Sequence, residues 1–469
     1  MERRFEERKR EIEQDAQIDL KSLGGCVRRL QQFGEPYFAH FRRSETRQNA
    51  QFFLEGLLSD LPRKNVGSIA YRYAQDRRAL QRFIGETDWD HKVLLKRLAE
   101  QVANEIGEED GVLVFDPSGF EKDGKMSAGV ARQWLGRFGK VDNGQVGTFM
   151  AYVTRQEHVL VNTRLFIPQE WNDAPARCKR ARIPGKEYKK HKTRHPHCLE
   201  MLKEQGKLLP HKWVAGDDEL GKSSPFRRAL RKRKVKYVLA VPCNTLVRDL
   251  ENVPVYSGRG APPKGAFVRV VEWKNSLTDD DWQAIDVRDG EKGPIVRKLA
   301  RCQVLAHTER GRVTNEELLI VTERPDGNGV KYDYYLCNAL DETVEELARV
   351  IVASHRVEDC FRRAKDACGL AEYEVRTWNG WHHHVTLSML ACWFLTKEMV
   401  RGKKKDCVAL TVPLVQHFLS GRLRHYVTRV RPGWMHFDIQ HRSLRKEQAY
   451  FYHYAAKNIL PPRRYNRRL

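Results

Sequence analysis

Three acidic residues carry the strongest chemical signal in the chain: Asp116, Asp217 and Glu358. Asp116 closes the continuous apolar run Val112-Leu113-Val114-Phe115, and Asp217 follows Lys212-Trp213-Val214-Ala215-Gly216. A run apolar at every position predicts a strand covered on both faces, and open α/β sheets place their sites at the carboxyl ends of such strands. Glu358 lies in a segment whose pattern predicts one long helix from Asp341 to Gly369. Ile351, Ser354, Phe361 and Lys365 fall at −7, −4, +3 and +7 from Glu358, so all five share one helix face. Three carboxylates without His or Cys form an oxygen-rich donor set suited to Mg²⁺ or Mn²⁺. Two such ions can activate an attacking water or hydroxyl and stabilise the leaving oxygen in a displacement at phosphorus. Taken singly, each acid has an ordinary explanation: a turn cap at Asp116, a helix-start acid at Asp217, a partner of Lys365 or Arg362 at Glu358. Their joint placement on two strand ends and one helix face favours the chemical reading.

The charge balance points to the partner. Lys and Arg number 84 against 61 acids, a net charge of +23, with 41% hydrophobic residues in a 469-residue chain. A surplus of that size suits a polyanion, because cationic side chains gain affinity by releasing phosphate counterions. From Arg177 to Arg194 nine Lys and Arg face one acid, Glu187. This segment, with Lys189, Lys190 and Lys192 at its centre, is expected to track DNA phosphates. No uncharged apolar run of about 18 residues predicts a membrane helix, and Met1–Arg10 lacks the apolar stretch of a signal peptide. Ten scattered cysteines without a CxxC pair read as reduced thiols. A cytoplasmic protein, bacterial and nucleoid-associated, is expected.

The elements that must hold the acids follow from periodicity. Residues 1–108 read as helical, with Phe52, Phe53, Leu54, Leu57 and Leu58 at helical spacing and basic residues behind them at Arg63, Lys64, Arg72, Arg77, Arg78 and Arg82. After Val112–Phe115, Asp116-Pro117-Ser118-Gly119 reads as a turn. Strands are predicted at 146–154, 158–167, 212–215 and 237–241, with a helix over 225–233, which makes an α/β core. The stretch 253–336 reads as mostly β, with strands at 266–273, 304–308, 318–322 and 332–337 and a hairpin turn over 325–329. Helices follow at 381–400 and 408–419, and the tail 457–469 holds five basic residues and no acid.

Val114–Gln133, with its Gly-Val-Ala-Arg-Gln block, and 135–146 closely resemble the IS701-family transposases of the wider IS4-like DDE group. Leu54–Leu58, Arg63–Val66, Thr87–Asp90, Trp213–Gly221 and Glu374–Trp381 are similar to the same family. The resemblance runs over nearly the whole chain. It implies a ribonuclease-H-like mixed-sheet catalytic core with a β-rich insertion, preceded by an N-terminal helical domain and followed by C-terminal helices. The implied boundaries are 1–108 for a DNA-binding domain, 109–252 for the first part of the core and 253–337 for the insertion. The rest of the core, with the catalytic Glu, takes 338–400 and a basic helical region 401–469.

The family's catalytic acids fall on Asp116, Asp217 and Glu358, with Asp218 left as the alternative for the second. They imply two Mg²⁺ or Mn²⁺ ions. The group's Tyr–Arg–Glu–Lys signature keeps Glu358 and Lys365 but has Ile351 and Ser354 at its first two positions. Arg356 or Arg362 is expected to replace the lost phosphate contact, and Arg132 to contribute another. Trp273 and Trp282 lie in the implied insertion, where related enzymes stack a flipped base; for each, ordinary core packing is the favoured alternative.

The implied activity is that of an insertion-sequence transposase. It would bind terminal inverted repeats as a homodimer in a synaptic complex with double-stranded DNA, cut there, and join the ends to target DNA. The alternative is a transposase-derived DNA-binding regulator without chemistry. His191, His195, His197 and Cys198 lack a second ligand pair at zinc-finger spacing and read as surface. Of His382-His383-His384, one ring is expected to pack and the others to face solvent.

Overall fold

The computed structural model describes residues 23–73, 75–136, 139–253, 258, 265–290, 293–307, 313–326, 329–403 and 410–430. The basic tail at 457–469 lies outside them. The described chain forms two compact units. One takes the residues up to 87, 367–374 and those from 394 onward; the other takes 88–366 and 375–393.

Among the described residues, the first unit has the helices α1 (Cys26–Phe38), α2 (Ser44–Leu58), α3 (Val66–Arg72) and α4 (Arg77–Gly85) before residue 87. Phe53, Leu54, Leu57 and Leu58 on one stripe of α2 are all fully buried, as their spacing requires. Two of the basic residues behind them are structural. Arg72 is buried in an ion pair with Asp60 at 2.6 Å, and the Lys64 ammonium donates to the Ala367 carbonyl. Arg63, Arg77, Arg78 and Arg82 stay exposed.

The second unit begins at helix α5 (His91–Ile106). The sequence grouped it with the N-terminal helices, but its buried Leu94, Leu95, Leu98 and Val102 pack with this unit. The unit is built on one twelve-stranded mixed sheet. Its strands are β1 (Val112–Glu121), β2 (Ala131–Leu135), β3 (Lys140–Val153), β4 (His158–Leu165), β5 (Trp213–Gly216) and β6 (Lys236–Val241). They continue with β7 (Leu246–Asp249), β8 (Val268–Arg269), β9 (Gln283–Gly290), β10 (Gly293–His307), β11 (Val313–Asp326) and β12 (Gly329–Cys337). The order is β2-β3-β1-β5-β6-β12-β11-β10-β7-β8, with β4 also on β3 and β9 also on β10. β1, β5 and β6 run parallel, while β3 is antiparallel to β1 and β12 antiparallel to β6.

After α6 (Gln169–Asn172), the basic segment runs through α7 (Pro175–Arg180) and α8 (Gly185–Tyr188) to the first residue of α9 (Arg194–Gln205). Then come α10 (Asp218–Lys222), α11 (Ser224–Lys232), α12 (Val270–Asn275), the long α13 (Val344–Cys368) and α14 (Trp378–Lys403). The last described helix, α15 (Val412–Val430), returns to the first unit.

Four local expectations are corrected. The turn at Asp116–Gly119 is strand, because β1 continues against β3 to Glu121. From Asp116 onward β1 has no β5 partner, the one-sided setting in which a strand tolerates Pro117. The strand expected over 266–273 shortens to β8 and gives way at Val270 to α12: Val270 and Trp273, one turn apart, bury the same face, and the Glu272 carboxylate accepts the Arg269 N–H at 3.0 Å. The strand expected at 332–337 begins earlier, at Gly329, and its Tyr334–Cys337 stretch pairs directly with β6. Finally, His382, His383 and His384 are all buried. α14 is apolar nearly all round and covered on every side, with His383 stacked on Trp89 at 3.7 Å between centroids and His382 against Trp378 at 3.9 Å.

Candidate active site

Asp116 and Asp217 are brought together by register. Phe115 on β1 lies opposite Gly216 on the neighbouring parallel strand β5, so the two acids are the next residues along on adjacent strands, whose spacing is about 4.8 Å. Val112–Phe115 and Trp213–Ala215 are buried almost completely, which fixes both strand ends. Asp217 also caps α10, its Oδ1 accepting the Leu220 N–H at 3.1 Å. Gly221 allows that helix to sit against β6: a Cβ there would fall 1.8 Å from the Ala240 carbonyl oxygen. Asp218, the alternative second acid, points into the same cleft from the first residue of α10.

Glu358 arrives from α13, which is anchored at the opposite edge of the sheet. Glu342 pairs with Lys212 and Lys236, both at 2.8 Å, Glu346 accepts from the Trp213 indole at 2.8 Å, and Arg349 donates to the Asp110 carbonyl at 2.8 Å. Twelve residues beyond Glu346 is about 18 Å along a helix, enough to cross from the amino to the carboxyl ends of β1 and β5. Thr343, whose hydroxyl accepts the Glu346 N–H at 3.2 Å, caps α13 in place of Asp341, and Gly369, at φ +64°, follows its last residue as a left-handed C-terminal residue.

The three acids line one cleft of about 1100 Å³. Six carboxylates face it (Asp116, Asp217, Asp218, Glu219, Glu358, Asp366) against three cations (Arg194, Arg362, Lys365). In a chain of net charge +23, this acid excess is a local reversal of sign that a cation would neutralise. The electrostatics agree. Burial pushes the Asp116 carboxyl well above the ordinary carboxylate range, and the neighbouring charges of Asp217 and Glu358 push it further, against Arg194 and Lys365. Burial also raises Asp217, opposed by Arg194 and the Leu220 amide. Two recessed carboxylates that disfavour their own ionisation are a donor set that a divalent ion would stabilise. Among the described residues no three His, Cys, Asp or Glu side chains stand close enough to hold an ion as they are. A bound ion would therefore draw these side chains inward.

The other expected contacts divide. Lys365 lines the cleft with its ammonium 5.6 Å from the Phe120 and Phe361 rings, and Arg362 lines it too, paired with Asp359 at 2.7 Å. Arg356 does not reach it: its guanidinium donates to the Thr154 and Arg155 carbonyls, fastening α13 to the β3–β4 turn. Ile351 is buried and the Ser354 hydroxyl turns back to the Ile351 carbonyl at 2.7 Å. Lys189 and Lys190 are exposed, while Lys192 is held between Glu187 and Glu200 at 3.2 and 3.1 Å. Arg132 is exposed on β2. Trp273 is buried and donates to Asp249 at 2.9 Å, and Trp282 packs on Tyr332, with centroids 5.9 Å apart. Neither lines the cleft.

Two residues line the cleft that the sequence does not place there. Trp134 is 62% exposed on β2 and forms part of the cleft wall, across from the exposed Val141. Its signal was a period of two: Ala131 and Leu135 point inward, Arg132 and Trp134 outward. Arg194 closes the basic segment, and its Nη1 stands 3.3 Å from the Asp217 Oδ2. Nothing local in the sequence signals that pairing.

Comparison with known proteins identifies a family. A family model described as a DDE superfamily endonuclease matches residues 36–294, which takes in Asp116 and Asp217 and ends before Glu358. The chain is also similar to a protein of Microchaete diplosiphon named as a probable transposase for insertion sequence element IS701, at 33% identity over 92 residues. That alignment spans 19% of this chain and 24% of the relative's length.

Proposed function

The chain belongs to the DDE superfamily endonucleases, and on that premise we propose that it is a DNA transposase whose Asp116, Asp217 and Glu358 carry metal-dependent strand cleavage and transfer. The observation that carries this reading is the meeting of the three acids in one acid-rich cleft, at two parallel strand ends and on one helix. The order β4-β3-β1-β5-β6, with β3 antiparallel and the rest of the central strands parallel, supports a ribonuclease-H-like core. Asp116, Asp217 and Glu358 would hold the Mg²⁺ or Mn²⁺ ions, which when bound activate the attacking oxygen and stabilise the leaving one. Asp217 is the second acid of choice because its carboxylate, and not that of Asp218, follows directly on β5.

The protein's own cations do the positioning. Lys365, two turns beyond Glu358 on the same face, offers a point charge to a phosphate flanking the cut. Arg362 and Arg132 extend that contact, and the exposed Lys189 and Lys190 track the duplex through its phosphates. Trp134 presents its ring to whatever lies in the cleft, and an unstacked base is the flat partner DNA supplies. The exposed arginines of the first unit add further phosphate contacts. Terminal inverted repeats, target DNA and a homodimeric synaptic complex complete the reading. No described helix is long and apolar enough to cross a membrane.

A regulator without chemistry remains the second reading, because Ile351 and Ser354 offer no group to the cleft. Labelled DNA carrying the element's ends separates the two. With Mg²⁺ the wild type should cut at the element boundary and Asp116→Ala should lose about 10²–10³-fold or more in rate, the scale of losing transition-state charge stabilisation. Sequence-specific binding with no cleavage by either protein would favour the regulator.

A further inference from the structure

Arg194 sits where it opposes the ion the site is built for. Its Nη1 lies 3.3 Å from the Asp217 Oδ2, and its Nη2 pairs with Glu219. The side chain is 16% exposed and that of Asp217 22%, so water screens the pair incompletely. Oδ1 of Asp217 is already committed to the Leu220 N–H, which leaves Oδ2 as the open donor of that carboxylate. The same guanidinium also offsets the charge of Asp116. Arg194 is thus the internal cation that answers the two strand-end acids.

A divalent ion on Asp217 and a guanidinium beside it repel each other. Arg194 begins α9 at the end of the basic segment and lines the same cleft as Lys365 and Trp134. A guanidinium fork suits phosphate as well as carboxylate, and a phosphate in the cleft would offer Arg194 a second partner. We propose that Arg194 is an exchangeable counter-ion: it holds Asp217 in the metal-free protein and passes to a DNA phosphate when a divalent ion takes that carboxylate. Metal and DNA then bind with positive coupling, and each raises the affinity of the other by the same factor. An enzyme wired this way loads its ions weakly until DNA lies in the cleft. Arg194 acts here as a positioning residue, and the inference rests on the reading that Asp116 and Asp217 bind metal and that DNA is the substrate.

The test is Mn²⁺ binding to the full chain, by calorimetry or by the paramagnetic resonance of free Mn²⁺. It is run with and without a short random-sequence duplex, on wild type, Arg194→Gln, Arg194→Lys and Asp116→Asn. In wild type the duplex should tighten Mn²⁺ binding by roughly 5- to 150-fold, the usual span of coupling between sites. Arg194→Gln should bind Mn²⁺ without DNA more tightly than wild type by a similar factor and should lose the response to DNA. Arg194→Lys keeps the charge, guards against loss of the fold, and should keep the coupling. A residue that merely tied α9 to α10 would give the opposite sign, since its loss would weaken the ion site or leave it unchanged. The proposal is overturned if Arg194→Gln binds Mn²⁺ no more tightly than wild type, or if wild type ignores the duplex while Asp116→Asn shows that the ion site is real. If wild type and Asp116→Asn bind Mn²⁺ equally, the metal-site reading itself falls and takes the coupling with it.

Discussion

Glu317 on β11 and Asp116 on β1 are carboxylates of the same sheet, and they differ in what answers their charge. Glu317 is wholly buried, yet Arg227 donates to it at 2.9 Å, the Tyr237 hydroxyl donates to it, and Arg231 stands 3.7 Å away. Its negative charge is matched within the fold. Asp116 is recessed beside two other acids, and its surroundings favour the neutral carboxyl. Burial alone does not separate the two, because the more deeply buried acid is the satisfied one. The difference is how far the chain itself matches the charge. Where the match is complete, the carboxylate holds α11, β6 and β11 together; at Asp116, Arg194 and Lys365 offset the charge only in part, and the proposed divalent ion would supply the rest.

The comparison breaks first at Glu317. Glu317→Ala would leave Arg227 buried without its partner, and loss of one side of a buried pair costs about 3–5 kcal/mol. Chemical denaturation should show that loss, and a change below about 1 kcal/mol would mean that the pair adds little. A smaller effect of opposite sign is expected at the cleft. Asp116→Asn removes the repulsion among the acids and should stabilise the metal-free protein by about 0.5–2 kcal/mol, as relief of a functional site commonly does.

The pH dependence gives the sign of that effect independently. The folded value of Asp116 lies above its unfolded value of about 3.9. The stability it contributes is therefore complete below about pH 3.9 and is lost as pH rises through the raised folded value. Metal-free wild type should weaken over that rise, and Asp116→Asn should weaken less; thermal melts at several pH values decide it. The smallest effect belongs to the solvent-facing pair Arg362–Asp359, whose side chains are 66% and 44% exposed. Asp359→Ala should change stability by less than about 1 kcal/mol, and a larger loss would mean that the rim of the cleft is more constrained than its exposure implies.

Much of this arrangement could be read from the chain because apolar runs and helical faces are local signals. Val112–Phe115 and the stretch before Asp217 announced central strands, and the face shared by Glu358, Phe361 and Lys365 announced how α13 would lie. The misread parts depend on partners distant in sequence. Pro117 looked like turn chemistry because nothing nearby shows that β1 is paired on one side there. Val268–Trp273 is β-branched and aromatic, but Val270 and Trp273 bury one helical face against strands β10 and β11. The three histidines of α14 are polar by type and buried by position, with Trp89 and Trp378 covering two of their rings. Arg194 meets Asp217 across 23 residues and two elements, and only the folded chain brings them together.

Whether the two strand-end acids share a cation decides what the cleft can do. Crystals of the chain with DNA and Mn²⁺, measured at a wavelength where manganese scatters anomalously, would locate the ion directly. The expected result is an anomalous peak within direct coordination distance of both Asp116 and Asp217, with Glu358 drawn toward it. A peak elsewhere, or none between these two carboxylates at saturating Mn²⁺, would contradict the account.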